Sequence, residues 1–140
     1  ARYSTTPQLD LVNFYETVLF SWLTGNNDMH LKNFSLLSVK EGEYRLSPAY
    51  DLVNAAIVNP NDKEELALTL NGKKSRILRS DFIEAASKSG ISGNIINKLI
   101  SNFAKCLPKW ETFIASSFLS DDLKKAYLEL LEERLERLSK

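Results

Sequence analysis

A mainly helical fold carrying one or two small β-hairpins is the class this sequence predicts. Three observations lead there. Apolar residues recur at helical spacing near both ends of the chain, at Leu9, Val12, Tyr15, Val18, Leu19, Trp22 and Leu23, and again at Leu123, Tyr127, Leu130, Leu131, Leu135 and Leu138. Helix-starting pairs precede such stretches and glycines follow them. Runs of strand type are few and short, and they bracket two turn signals, Glu41-Gly42 and Asn71-Gly72.

Each element has its own local justification. Thr6-Pro7 supplies a hydroxyl N-cap and a proline at the first helical position, and Gly25 ends that first helix. Phe34 to Val39 reads as a strand, Glu41-Gly42 turns, Tyr44 to Leu46 returns, and Ser47-Pro48 stops the hairpin. Asn59-Pro60-Asn61-Asp62 is a loop. Leu66 to Leu70 alternates as a strand does, and Asn71-Gly72 is a type I′ turn after which Lys73 to Ile77 can pair back. Ser80-Asp81 caps a helix to about Lys88, closed by Gly90. Ser92 or Gly93 opens the next, to about Leu107, and Pro108 begins another carrying Trp110, Phe113 and Ile114. Ser120-Asp121-Asp122 caps the last helix, whose leucine stripe faces the core while Glu132, Glu133, Arg134, Glu136 and Arg137 fill its wet face.

Composition narrows the function classes. At 140 residues, 44% hydrophobic and 26% charged, the chain is expected to form one globular domain over 1–140 with a real core. Lys+Arg and Asp+Glu both number 18, which argues against a whole-domain nucleic-acid footprint. A local basic patch remains at Lys73, Lys74, Arg76 and Arg79, read as a solvated hairpin tip or as a contact for an acidic partner or phosphate. The lone Cys106 has no internal disulfide partner, which favours a reducing compartment and a role as a small buried hydrophobe. Trp22 and Trp110 read as core or near-core aromatics. No run suits a membrane span or a signal peptide, so a cytoplasmic protein without membrane contact is expected. The chain opens at Ala1 without an initiator Met, as an excised piece of a longer protein would.

The chemistry concentrates in Gly25-Asn26-Asn27-Asp28-Met29-His30-Leu31-Lys32-Asn33-Phe34 and in Ser47-Pro48-Ala49-Tyr50-Asp51-Leu52. Singly, each residue has an ordinary explanation: Asp28 and Asn33 as turn residues, His30 as a structural histidine, Lys32 as a solvated lysine, Asp51 as the cap of a short turn. Together they form a set suited to phosphoryl transfer, which asks a protein for alignment of the attacking oxygen and neutralisation of charge rather than covalent chemistry. Asp28 can orient the hydroxyl. Asn33 and Asp51 can ligate magnesium, which takes one or two carboxylates and completes its shell with phosphate oxygens and water. Lys32 can offset charge on the transferred group, and His30 can hold the loop in shape by bonding its backbone or Asp51.

Those two segments resemble the C-terminal region of HipA-type serine/threonine kinases, the toxins of bacterial toxin–antitoxin pairs. Leu66-Ala67-Leu68-Thr69-Leu70-Asn71-Gly72-Lys73 with Asp81-Phe82 is similar to the same family further downstream. The resemblance implies the helical C-lobe of a protein-kinase-like fold, a catalytic base at Asp28, magnesium ligands at Asn33 and Asp51, and ATP as co-substrate. It also implies a small DNA-binding antitoxin as partner, DNA met only indirectly through it, and a protein substrate such as an aminoacyl-tRNA synthetase. The D-x-H-x-x-N order is similar to the catalytic loop of phosphoinositide kinases as well. Asp51-Leu52-Val53 departs from the D-F-G of eukaryotic protein kinases. No Gly-rich phosphate loop and no strand lysine paired with a helix glutamate occurs here, so a nucleotide-binding N-lobe is absent and the isolated piece is expected to be inactive. The alternative is a non-catalytic kinase-like helical module that binds a protein partner; a plain helical interaction domain with a coincidental loop is the third reading.

Overall fold

The computed structural model describes residues 3–140; the Ala1 start lies outside the described residues. Among the described residues, four α-helices and one antiparallel hairpin follow in the order α1 (Pro7–Leu23), β1 (Leu36–Lys40), β2 (Glu43–Leu46), α2 (Arg79–Lys88), α3 (Gly93–Ala115) and α4 (Asp121–Ser139). A single 3₁₀ turn, Leu31–Asn33, lies between α1 and β1.

Helix α1 is the central rod. Leu19, Trp22 and Leu23 are wholly buried on it, against Phe82 and Ala86 of α2, Ile96 of α3 and Leu138 of α4. Each such side chain contributes roughly 1.5–3 kcal/mol by leaving water. Ring contacts add direction. Trp22 meets Phe82 edge-on at 5.6 Å, and Phe20 meets Phe103 and Trp110 of α3 at 5.9 Å each. The Tyr15 hydroxyl bonds the Ala85 carbonyl at 2.7 Å and the Ser89 hydroxyl at 2.7 Å, clamping α1 to α2.

The hairpin pairs Leu36 with Leu46, Leu37 with Arg45, Ser38 with Tyr44 and Lys40 with Glu43, with a register irregularity at Val39. Gly42 makes the turn at φ +77°. All of β1 is exposed, and what ties the ribbon to the helices is Asp10, buried in the first turn of α1. Its carboxylate accepts from the Leu46 amide at 2.9 Å and from the Ser4 hydroxyl at 2.5 Å.

Several expectations need correction. Thr6 is the N-cap of α1, but its hydroxyl makes no cap bond and is buried without a partner; Ser4 Oγ accepts from the Thr6 amide instead. Leu9 is exposed, because the apolar face of α1 begins a turn later. Residues 66–70 form no strand. Leu66 and Ala67 are consecutive and both buried, which a pleat that alternates faces cannot provide. The Asn71-Gly72 turn does form, with φ +49° and +80°, but it closes on one bridge, Leu70 to Lys73. Helix α2 starts two residues early, with Leu78 as N-cap and Asp81 accepting from the Leu78 amide at 2.9 Å. Pro108 starts no new helix: α3 runs through it. An interior proline loses a hydrogen bond and costs roughly 3 kcal/mol. Phe103 and Trp110, on either side of it, both pack on Phe20, so burial against α1 holds the two halves in line. Cys106 is half-buried rather than buried.

The largest correction concerns the wet face of α4. Arg134 is 4% exposed and Arg137 lies partly inside. Arg134 donates to the Trp22 carbonyl, and both guanidiniums lie over the Trp22 ring, at 5.2 and 5.1 Å. Burial pushes Arg134 down to about 10, countered chiefly by the charge of Glu65, so it remains charged at neutral pH. Arg137 forks onto Glu65 at 2.8–3.0 Å and reaches the Ile77 carbonyl at 2.7 Å. Glu65 also accepts from the Trp22 indole at 2.8 Å and from the Arg76 and Ile77 amides at 3.1 Å each. Three of the four cations of the basic tip are paired, while Arg76 is exposed. Lys73 meets Asp81 at 2.8 Å, Lys74 meets Glu64 at 2.9 Å, and Arg79 donates to Asn97.

Candidate active site

The site is built on the buried C-terminal end of α1. Gly25, at φ +78°, breaks the helix in a place where only glycine fits: a Cβ there would lie 2.6 Å from Asn54 Oδ1 and 2.7 Å from Leu130 Cδ2. Its carbonyl accepts from the Ala55 and Ala56 amides at 3.0 Å each, so the segment after Asp51 is pinned to the segment before Asp28. Met29 is buried and takes a bond from the Ser21 hydroxyl at 3.1 Å, which anchors the loop between the polar residues.

Asp28 and His30 are both exposed, with His30 Nε2 3.2 Å from Asp28 Oδ1. His30 therefore pairs with Asp28 and not with Asp51. Its amide donates to Asn33 Oδ1 at 3.0 Å. Asn33 is buried and turns its other end outward: Nδ2 donates to Asp51 Oδ2 at 2.7 Å. Residues 18 apart in sequence thus meet across the hairpin. Asp51 is exposed and sits at φ +56°, a left-handed conformation that aspartate tolerates at a cost of roughly 1 kcal/mol. Lys32 is exposed on the 3₁₀ turn, and its carbonyl accepts from the Tyr50 hydroxyl at 2.8 Å, a second tie between the two segments.

Two further residues prove central here: Asn26, given no role above, and Gly25, read above only as the end of the first helix. Asn26 is 1% exposed, accepts from the Asp28 amide at 3.3 Å and donates to the Asp51 carbonyl at 3.3 Å. Gly25 makes the close approach just described. An asparagine two residues before an aspartate is a recognisable Asx-turn signal, but its reach to Asp51 has no local signature.

Among the described residues, no three His, Cys, Asp or Glu side chains gather as a metal cluster, and no helix is long and apolar enough to cross a membrane.

Residues 1–110 match the family model described as the HipA-like C-terminal domain. The chain belongs to that family. A Haemophilus influenzae relative, provisionally named a kinase, is 26% identical over 141 aligned residues, covering 89% of this chain and 41% of its own length. A Sinorhizobium fredii relative with a similar provisional name is 32% identical over 92 residues, covering 65% of this chain and 22% of its own. The chain thus spans less than half of the curated relatives it matches. Among solved structures it is similar to a chain of the Shewanella oneidensis MR-1 toxin–antitoxin complex of HipA, HipB and operator DNA. The TM-score is 0.77 at 23% identity, over 91% of this chain and 31% of that one. The helical HipA-like architecture is therefore that of a kinase-like fold.

Proposed function

We propose that this chain is the catalytic C-terminal lobe, a single domain over 1–140, of an ATP- and magnesium-dependent serine/threonine protein kinase of HipA type. The observation that carries the reading is the 2.7 Å bond between Asn33 and Asp51, which sets an amide and a carboxylate together beside the Asp28 loop. The Asp51 carboxylate fits magnesium as it stands, whereas the Asn33 amide would have to turn over to offer its oxygen, since Oδ1 accepts from the His30 amide and Nδ2 faces Asp51; phosphate oxygens and water would complete the shell. When bound, the ion neutralises charge on the phosphates of ATP. Asp28 orients the acceptor hydroxyl and takes its proton. His30, 3.2 Å away, holds the Asp28 carboxylate in place. Lys32 offsets charge on the transferred phosphoryl group.

The whole protein acts in the cytoplasm as the toxin of a toxin–antitoxin pair, with a protein substrate of the aminoacyl-tRNA synthetase kind. The antitoxin is its direct partner, and DNA is reached through that partner. The similarity to a HipA chain solved with HipB and operator DNA supports this. The nucleotide-binding lobe lies outside these residues, so the chain alone transfers little or no phosphate.

Phosphoryl transfer from radiolabelled ATP to a protein acceptor, assayed with a longer protein containing this chain, tests the reading. Asp28→Asn should lower transfer by about 10²–10⁴-fold with nucleotide binding retained. Asp51→Ala should abolish magnesium-dependent nucleotide binding. Near-normal activity of either variant would refute the role given to that residue. An inert parent protein would favour the non-catalytic module, and clear transfer by the chain alone would refute its dependence on another lobe.

A further inference from the structure

The geometry points to Asn26 as a positioning residue that sets the spacing between the Asp28 loop and the Asp51 loop, an inference that rests on the proposed roles of those two acids. Its side chain lies 1% exposed beneath both loops. Its backbone is fixed from below, the Asn26 amide donating to the Ser21 carbonyl at 2.8 Å. From that base the side chain divides its two functions. Oδ1 accepts from the Asp28 amide, and Nδ2 donates to the Asp51 carbonyl, each at 3.3 Å.

A residue needed only for the local turn would use Oδ1 alone, and Asp or Ser would serve as well. The bond from Nδ2 reaches 25 residues along the chain to the backbone of the proposed metal ligand. It joins Asp51 on its main-chain side while Asn33 holds its carboxylate at 2.7 Å. Two side-chain amides from one loop therefore grip the same aspartate at two atoms. One is fixed to the end of α1 and the other to the 3₁₀ turn. Asp51 itself occupies a left-handed backbone conformation at φ +56°, which needs such outside support to persist. Groups that orient a metal ligand without touching the metal commonly change its affinity by about 10–100-fold when removed.

The test uses Asn26→Asp, which keeps the acceptor for the Asp28 amide and has no donor for Asp51, and Asn26→Ser, whose short hydroxyl keeps the acceptor but lacks the Nδ2 arm that reaches the Asp51 carbonyl. The first arm needs no metal. A nitroxide is placed at Val53→Cys in a Cys106→Ser background, and relaxation enhancement is read at the amides of residues 28–33 in the ¹⁵N-labelled chain. The expected result is altered enhancement in both variants, with the signals of Leu19, Ile77 and Leu138 unmoved. Enhancement identical to the parent in a folded variant overturns the proposal. Should one variant fail to fold, the other decides.

The second arm titrates Mn²⁺ alone into the chain. The proposed metal site predicts broadening first at Asn33 and Asp51, and Asn26→Ser should weaken that binding about tenfold or more with the signals of Leu19, Ile77 and Leu138 unmoved. Unchanged Mn²⁺ affinity in Asn26→Ser also overturns the positioning role. Absence of Mn²⁺ binding in the parent chain overturns the metal reading instead, and the nitroxide arm still decides on Asn26.

Discussion

Gly25→Ala measures how strongly the two segments of the site are welded together. Two effects add in this variant. An alanine at φ +78° costs about 1 kcal/mol for the left-handed backbone. Its Cβ must also enter space held at 2.6 Å by Asn54 Oδ1 and at 2.7 Å by Leu130 Cδ2. Both are side-chain ends, so they must shift: Asn54 Oδ1 would give up the bond it accepts from the Ile57 amide at 3.1 Å, and the half-buried Leu130 would repack. Overpacking of this kind costs about 1–3 kcal/mol. The restricted unfolded chain returns about 0.4–1 kcal/mol, so the net loss is roughly 1–3.5 kcal/mol. Urea unfolding followed by tryptophan fluorescence gives the value, and Gly90→Ala is the control. Gly90 has nearly the same φ, +83°, but open space where its Cβ would go, so its loss should stay below about 1 kcal/mol. Equal losses in the two variants would refute the claim that close approach, and not backbone geometry, requires glycine at position 25.

Other variants test the remaining structure. Arg137→Ala leaves Glu65 without its forked partner in a largely buried place and should cost about 3 kcal/mol in the same urea experiment. Burial is the largest single influence on Asp81 and raises it, but hydrogen bonds from Lys73, the Leu78 amide and Asn71, with the charge of Lys73, together hold its carboxyl below the usual range. Its contribution is therefore complete above the unfolded value of about 3.9 and is lost as pH falls below that, through the lowered folded value. Asp81→Asn should cost about 1–3 kcal/mol at pH 7 and flatten the loss of stability as pH falls below about 3.9. Leu138→Ala, at a wholly buried position, should cost about 2–5 kcal/mol and shift the urea midpoint at an unchanged slope.

Local signals made much of this legible. The apolar period of α1, the Gly25 stop and the Glu41-Gly42 turn all operate within a few residues, and all three are realised. The Asp28, Asn33 and Asp51 set was legible as a pattern, and the structure brings Asn33 onto Asp51 and His30 onto Asp28. The misreadings share a different cause. Pro108 reads locally as a helix start, yet aromatic packing on Phe20 carries α3 through it. Residues 66–70 alternate as a strand does, yet among the described residues no partner strand lies alongside, and consecutive side chains turn into the core.

The sequence by itself determined the helical class, the hairpin and the identity of the polar residues in the site, because periodicity, turn chemistry and motif spacing are properties of neighbouring residues. Tertiary structure alone decided which charges are buried and which loops meet. Arg134 lies within a run of charged residues and is charged whether wet or dry; it became a core residue only because the Trp22 ring and carbonyl lay where α4 docked. Asn26 likewise became the link between Asp28 and Asp51 through one bond spanning 25 residues, an energy that exists only after the chain has closed on itself.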